Sequence, residues 1–248
     1  TLEGAKVLAC VELMPYSSGL NRNIVQCLHD FDIPLYLSHT ITDIQGKDRL
    51  ERVVVSQVGP DRRPVAGTER VFECDTLLLS VGLIPENELT RKAGIEIDRR
   101  TNGPAVYENM QTAVSGIFAC GNVVHVHDLV DFVTAEAEKA GRGAAEYVLR
   151  GDAAQGRTLA TACGSCVTYT VPQRIRLNAM GEKTEVSFRV NRSFSDSRIL
   201  VTSGGEIVAK FNRQHMAPGE MEHITLPRVL LERAKDDTLT ISCEEAAK

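Results

Sequence analysis

No stretch of the chain is apolar for long. A membrane helix needs about 18 or more consecutive apolar residues, and stretches such as Val7-Leu8-Ala9-Cys10-Val11 and Thr76-Leu77-Leu78-Leu79-Ser80-Val81 fall far short. No membrane span is expected. The N-terminus lacks a basic segment followed by an apolar one, so no secretory signal is legible. Positive charge is not in excess: 28 Lys and Arg stand against 33 Asp and Glu, a formal net charge of -5. Nucleic acid and anionic lipid are therefore not expected partners. Repeats and low-complexity tracts are missing. The 248 residues are 43% hydrophobic and 25% charged. That is enough for a buried core, excludes disorder, and fits one large domain or two ordinary ones.

Seven cysteines make an odd count, too sparse for a secreted disulfide scaffold. Cys10, Cys27, Cys74, Cys120 and Cys243 lie alone in apolar stretches and read as small buried thiols. A reducing, cytoplasmic compartment is the expectation. Cys163-Gly164-Ser165-Cys166 has two readings: a redox or metal-binding pair, or two structural thiols. A zinc site would want two further ligands at similar spacing. No second C-x-x-C and no H-x-x-x-H exists, so no metal is expected. His29, His39, His215 and His223 read as surface or element-end residues, and His125-Val126-His127 falls just after a glycine turn.

Thr1 to Lys6, with Gly4 suited to a left-handed helix end, reads as the close of a helix, and hence the chain as a fragment of a larger polypeptide. Val7 to Val11 reads as a buried strand and Asn21 to Asp30 as a helix with Asn21 as N-cap. Leu35-Tyr36-Leu37 completes a β-loop-α-β unit of a parallel, doubly wound sheet. Period-two alternation over His39 to Gln45, Arg49 to Val58 and Thr68 to Cys74 predicts an antiparallel meander. Asp75 to Ser80 and Gly116 to Asn122 read as buried strands. A helix is expected from about Leu129 to Leu149, with Val133, Ala137, Ala140, Ala144 and Val148 on its apolar stripe. Ala153 to Arg157 reads as a linker. From Thr158 onward, five or six short alternating strands, two joined at Ser203-Gly204-Gly205-Glu206, suggest a small sandwich or barrel. The fold class is thus α/β, a partial doubly wound fold with an inserted meander, plus an all-β, sandwich-like domain. Its expected divisions are 1–80, 81–157 and 158–248.

Glu12 is the first candidate site residue. An acid at such a strand end accepts hydrogen bonds from a dinucleotide's ribose and repels a 2′-phosphate; the alternative is a solvated strand-end Glu. The Gly-rich loop that should lie about 20 residues upstream is not in this sequence. Ser80-Val81-Gly82 would let a strand end pass close to a ligand, or form a plain turn. Gly121-Asn122 would bring a short hydrogen-bonding side chain to the carboxyl edge of a sheet, or form a common turn pair.

Taken in order, Val7 to Leu13, Asp75 to Pro85 and Gly116 to Asn122 with the following helix resemble the FAD/NAD(P)-dependent oxidoreductases of the pyridine nucleotide-disulfide type, over about residues 1–150. The resemblance implies FAD held by two distant segments around an inserted NAD(P)H domain, with hydride passing between the cofactors. Glu12 would meet the NAD ribose, which favours NADH, and Gly82 would line the strand joining the nucleotide domains. Gly121 and Asn122 would contact the flavin ribitol and pyrophosphate, and Val133 would approach the isoalloxazine through its backbone N–H. The chain departs from the pattern by having Asn122 in place of Asp and by lacking both Gly-rich loops. Alone it is therefore expected to be inactive, its partner being the missing N-terminal part of the same polypeptide. An alternative from another class is a non-catalytic β-domain that docks an electron carrier or dehydrogenase subunit. No catalytic acid, base or nucleophile is identified.

Overall fold

The computed structural model describes residues 1–17, 19–152 and 156–246, so most of the expected linker lies outside the described residues. The chain forms two compact units, Thr1–Gly82 and Leu83–Lys248.

In the first unit only Cys10–Val11 of the expected strand is paired, as β1, parallel to β2 (Leu35–Tyr36). Between them α1 (Asn21–Asn23) runs on through a π turn, Ile24–Leu28, and a 3-10 turn, His29–Phe31. Leu20, with no side-chain cap, precedes this helix, so Asn21 is its first residue and not its cap. Cys27 is exposed, contrary to the buried reading. The meander forms as expected: β3 (His39–Gln45), β4 (Arg52–Gln57) and β5 (Arg70–Glu73) pair antiparallel in that order. Its middle strand buries Val53, Val54, Val55 and Ser56. Three β-branched valines suit a strand packed on both faces.

Asp75 to Ser80 corrects the sequence reading. This segment is not a strand, and Leu78 and Val81 are 87% and 92% exposed. An apolar run becomes a buried strand only where neighbours satisfy its backbone and cover both faces. Among the described residues no strand pairs with it.

The second unit opens with α2 (Glu88–Lys92) and a looped stretch held by isolated bridges, including Gln111 with Phe118. The strand expected at Gly116 to Asn122 reduces to that bridge, with Ile117 exposed. Phe118 instead packs edge-on against Tyr147, ring centroids 6.3 Å apart. Tyr147 belongs to α3 (Val130–Arg150), 21 residues and about 30 Å long. Its buried side runs through Ala140 and Gly143, with Val133, Glu136 and Tyr147 half-buried, whereas Ala137 and Val148 are exposed. The expected stripe followed apolar residues mostly four apart. That spacing drifts about 40° per step on a helix of 3.6 residues per turn.

Eight strands follow, more than sequence alternation revealed: β6 (Thr158–Cys163), β7 (Val167–Val171), β8 (Arg174–Arg176), β9 (Lys183–Val190), β10 (Phe194–Ser203), β11 (Glu206–Met216), β12 (Glu222–Pro227) and β13 (Thr238–Glu245). They form a five-stranded sheet ordered β11-β10-β13-β6-β8 and a three-stranded sheet ordered β12-β9-β7. Ser203 pairs with Glu206 across the expected glycine turn. Alternate residues of both sheets, among them Phe188, Ile199, Leu226 and Ile241, share one apolar core with Leu231 of α4 (Arg228–Leu231). Each such side chain contributes about 1.5–3 kcal/mol on full burial. A smaller cluster joins Val171 of β7 to Val106, Val124 and Ala140 of α3.

Candidate functional site

The turn Gly121–Val123 is the centre of the second unit's polar chemistry. Gly121 has φ of 74°, open to glycine at little cost, and a Cβ there would stand 3.3 Å from Val133 Cγ1. Its backbone N–H donates to Glu136 Oε1 at 2.6 Å. Glu136 Oε2 lies 2.9 Å from His125 Nε2, and Glu136 Oε1 lies 3.4 Å from His127 Nε2, an ion-pair distance without an aligned hydrogen bond. The two imidazoles are 4.3 Å apart between centroids, and Tyr169 meets His125 edge-on. Asn122 Oδ1 accepts the His127 N–H at 3.1 Å, so residues 121–127 wrap around one carboxylate.

Burial alone would push the Glu136 carboxyl up, but the imidazoles of His125 and His127 more than offset it and hold the pKa at about 2. Burial lowers the pKa of His125 despite the opposing pull of Glu136. An ionised Glu136 can only accept, so the Nε2–H tautomer of His125 fits the 2.9 Å contact.

Two loops close onto this turn. Asn87, just beyond the Ser80 to Pro85 segment, donates its amide to Asn102 O at 2.8 Å and to Val123 O at 2.9 Å. Gly103 packs so tightly that a Cβ would sit 1.9 Å from Val124 O. Arg189 of β9 pairs with Asp128 just before α3, donates to Val126 O at 3.1 Å, and donates from Nε to Tyr169 Oη at 3.1 Å. Asp128 Oδ2 accepts the Met221 N–H at 2.7 Å. Together these loops enclose a cavity of about 190 Å³ lined by Ile84, Arg100, Asn102, His125, Tyr169 and Arg189. Ligand pockets commonly run from about 300 Å³ upward, so this space suits part of a cofactor and not the whole.

The sequence-expected residues fall in several places. Gly121, Asn122 and Val133 do come together, at the turn and the first turns of α3. Glu12 follows β1 in the first unit, half-buried, its Oε1 accepting the Met14 N–H at 2.9 Å. Gly82 closes that unit with φ of 99°, exposed, with nothing near its Cβ direction. Cys163 and Cys166 flank the β6–β7 turn as free thiols packed against the sheet core. Burial pushes the Cys163 thiol up. Sequence reading missed Glu136 and passed over His125 and His127 as a site. The available signal was His-x-His after a glycine turn, followed by a lone Glu on the next helix's inner face.

Residues 7–144 match the family described as pyridine nucleotide-disulphide oxidoreductase, more than half of the chain. An NADH oxidase of Methanocaldococcus jannaschii is 31% identical over 104 residues, 42% of this chain and 19% of that protein. A CoA-dependent NAD(P)H sulfur oxidoreductase of Pyrococcus abyssi is 32% identical over 98 residues, 40% and 19% of the respective chains. The match thus spans about a fifth of these relatives. The solved FprA of Mycobacterium tuberculosis with NADPH aligns at 13% identity and TM-score 0.38, over 59% of this chain and 38% of that one, too little for a fold argument. No helix among the described residues is long and apolar enough to cross a membrane.

Proposed function

Since this chain belongs to the pyridine nucleotide-disulphide oxidoreductases, we propose that it is the C-terminal portion of a flavoprotein passing hydride or electrons between NAD(P)H and FAD. In this reading the first unit is part of a doubly wound nucleotide fold, and residues 158–248 are a sandwich-like domain. One observation carries it. At a single place, Asn122 has an amide NH2 with no partner among the described residues, and the first turn of α3 has no side-chain cap. The Asn122 amide and the α3 N–H groups ahead of Phe132, whose own N–H donates to Leu129 O at 3.2 Å, are donors of the kind that a ribitol hydroxyl and a carbonyl or phosphate oxygen require.

Bound FAD supplies the hydride acceptor. The chain's own residues orient and enclose it. Asn122 would donate to the sugar without the negative charge an Asp would bring, and the leading N–H groups of α3, with Val133 one turn in, would help to hold the flavin ring. His125, Tyr169 and Arg189 line the adjoining cavity. Glu12, at the carboxyl end of β1, accepts from the adenosine ribose and disfavours a 2′-phosphate, so NADH is the preferred donor. Gly82, with φ of 99°, would line the segment that follows Ser80.

The exposed Leu78, Leu79 and Val81 support a further N-terminal part of the same polypeptide as the covering partner. The whole protein is proposed to be cytoplasmic, and an electron carrier or dehydrogenase subunit is a further proposed partner. Protein that includes that N-terminal part should be yellow, with its flavin absorbance bleached by NADH faster than by NADPH. A preparation that stays colourless after FAD is added would falsify the assignment. Equal bleaching by both nucleotides would remove Glu12 from it.

A further inference from the structure

His125, His127 and Glu136 hold more binding capacity than the turn uses. One ligand-type atom from each lies within 4.8 Å of the others. Their side chains are only 1%, 3% and 10% exposed. His125 Nδ1 and both ring nitrogens of His127 are buried without a hydrogen-bond partner among the described residues. A buried polar group left unpaired costs about 1–3 kcal/mol, so an imidazole with neither nitrogen satisfied calls for a ligand.

We propose that His125, His127 and Glu136 bind one divalent transition-metal ion, of the zinc class, which ties the Gly121 turn to α3. This proposal does not depend on the flavin reading. Two imidazoles with one carboxylate suit Zn²⁺ and its first-row neighbours; Mg²⁺ and Ca²⁺ prefer oxygen-only shells. Zinc–nitrogen and zinc–oxygen bonds of about 2.0–2.2 Å place tetrahedral ligands roughly 3.4 Å apart. His127 Nε2 lies 3.4 Å from Glu136 Oε1, at that separation, and His125 Nε2 lies 2.9 Å from Glu136 Oε2, somewhat inside it. The Gly121 N–H on Glu136 Oε1 supplies the outer-sphere hydrogen bond that orients a ligating carboxylate. Three protein ligands leave a fourth position for water, and the cavity lined by His125 is the way in. The guanidinium of Arg189, which lines the same cavity, is already paired with Asp128 and does not add uncompensated positive charge.

The full chain, stripped with chelator and then dialysed against micromolar Zn²⁺, should retain one ion per chain by elemental analysis. Its thermal midpoint should rise when the ion is present. His127→Gln and Glu136→Gln, checked for folding by circular dichroism, should each weaken binding at least tenfold and lose that rise. A Cys163→Ser/Cys166→Ser double variant should bind as the parent does. Co²⁺ should give weak visible bands without thiolate charge transfer, a readout that needs no variant. No retained ion, unchanged retention in His127→Gln, loss in the double cysteine variant, or a thiolate band with Co²⁺ would each overturn the site.

Discussion

The amide nitrogen of Asn87 lies 2.9 Å from the carbonyl oxygen of Val123, and its second proton reaches Asn102 at 2.8 Å. One buried side chain therefore pins the residue 83–88 loop to the turn carrying Gly121 and Asn122. Asn87→Asp would set a carboxylate against two carbonyl oxygens. Loss of a charged or polar partner at a buried site costs about 1–3 kcal/mol or more. Urea unfolding should show a loss of at least that size, and Asn87→Ala a smaller one.

Glycine is required at 103 by contact and not by dihedral freedom, since the obstructing Val124 O is backbone and cannot swing aside. Gly103→Ala should lose about 3 kcal/mol or more through overpacking. Gly143 is similar in kind: a Cβ there would stand 2.6 Å from Asn109 O, so its helix-favouring alanine should still destabilise. Gly141, on the same helix with open space around it, is the contrast. Gly141→Ala should gain roughly 0.5–1 kcal/mol. Thermal unfolding of the three variants side by side decides the matter.

The Arg189–Asp128 pair is largely buried, with side chains 17% and 10% exposed. Asp128→Ala strands the guanidinium and frees the Met221 N–H, so a loss of about 3–5 kcal/mol is expected. Replacing both partners together with apolar residues should cost less than the sum of the single changes. A double-mutant cycle measured by denaturant unfolding tests this.

Thiol chemistry separates the cysteines. Burial, reinforced by Cys166 and Glu222, pushes the Cys243 thiol up to about 12, whereas Cys27 is exposed. The thiolate is the nucleophile. At pH 8 iodoacetamide should modify Cys27 in native protein and Cys243 only after denaturation, read by peptide mass. Early labelling of Cys243 would contradict the packing described for β13.

Elements set by local chemistry were legible in the sequence. The helix from Val130 to Arg150 and the meander of β3, β4 and β5 follow from periodicity, and the Ser203–Glu206 hairpin follows from its two glycines. The approach of Gly121 to Val133 is a local matter, since turn and helix start are close in sequence. The short pairing of Val7 to Val11 and the exposure of Leu78 were not. Apolar composition records a tendency to be buried and is silent about which neighbour does the burying.

What the sequence by itself determined here is the set of local periods and turns and, separately, through the match over residues 7–144, membership of an oxidoreductase family. Only the tertiary structure decided that Glu136 turns inward to meet His125 and His127. A single carboxylate on a helix carries no periodic signal. Its burial depends on the Gly121 turn folding back over α3, so that the Gly121 N–H and His125 supply the donors that make it tolerable.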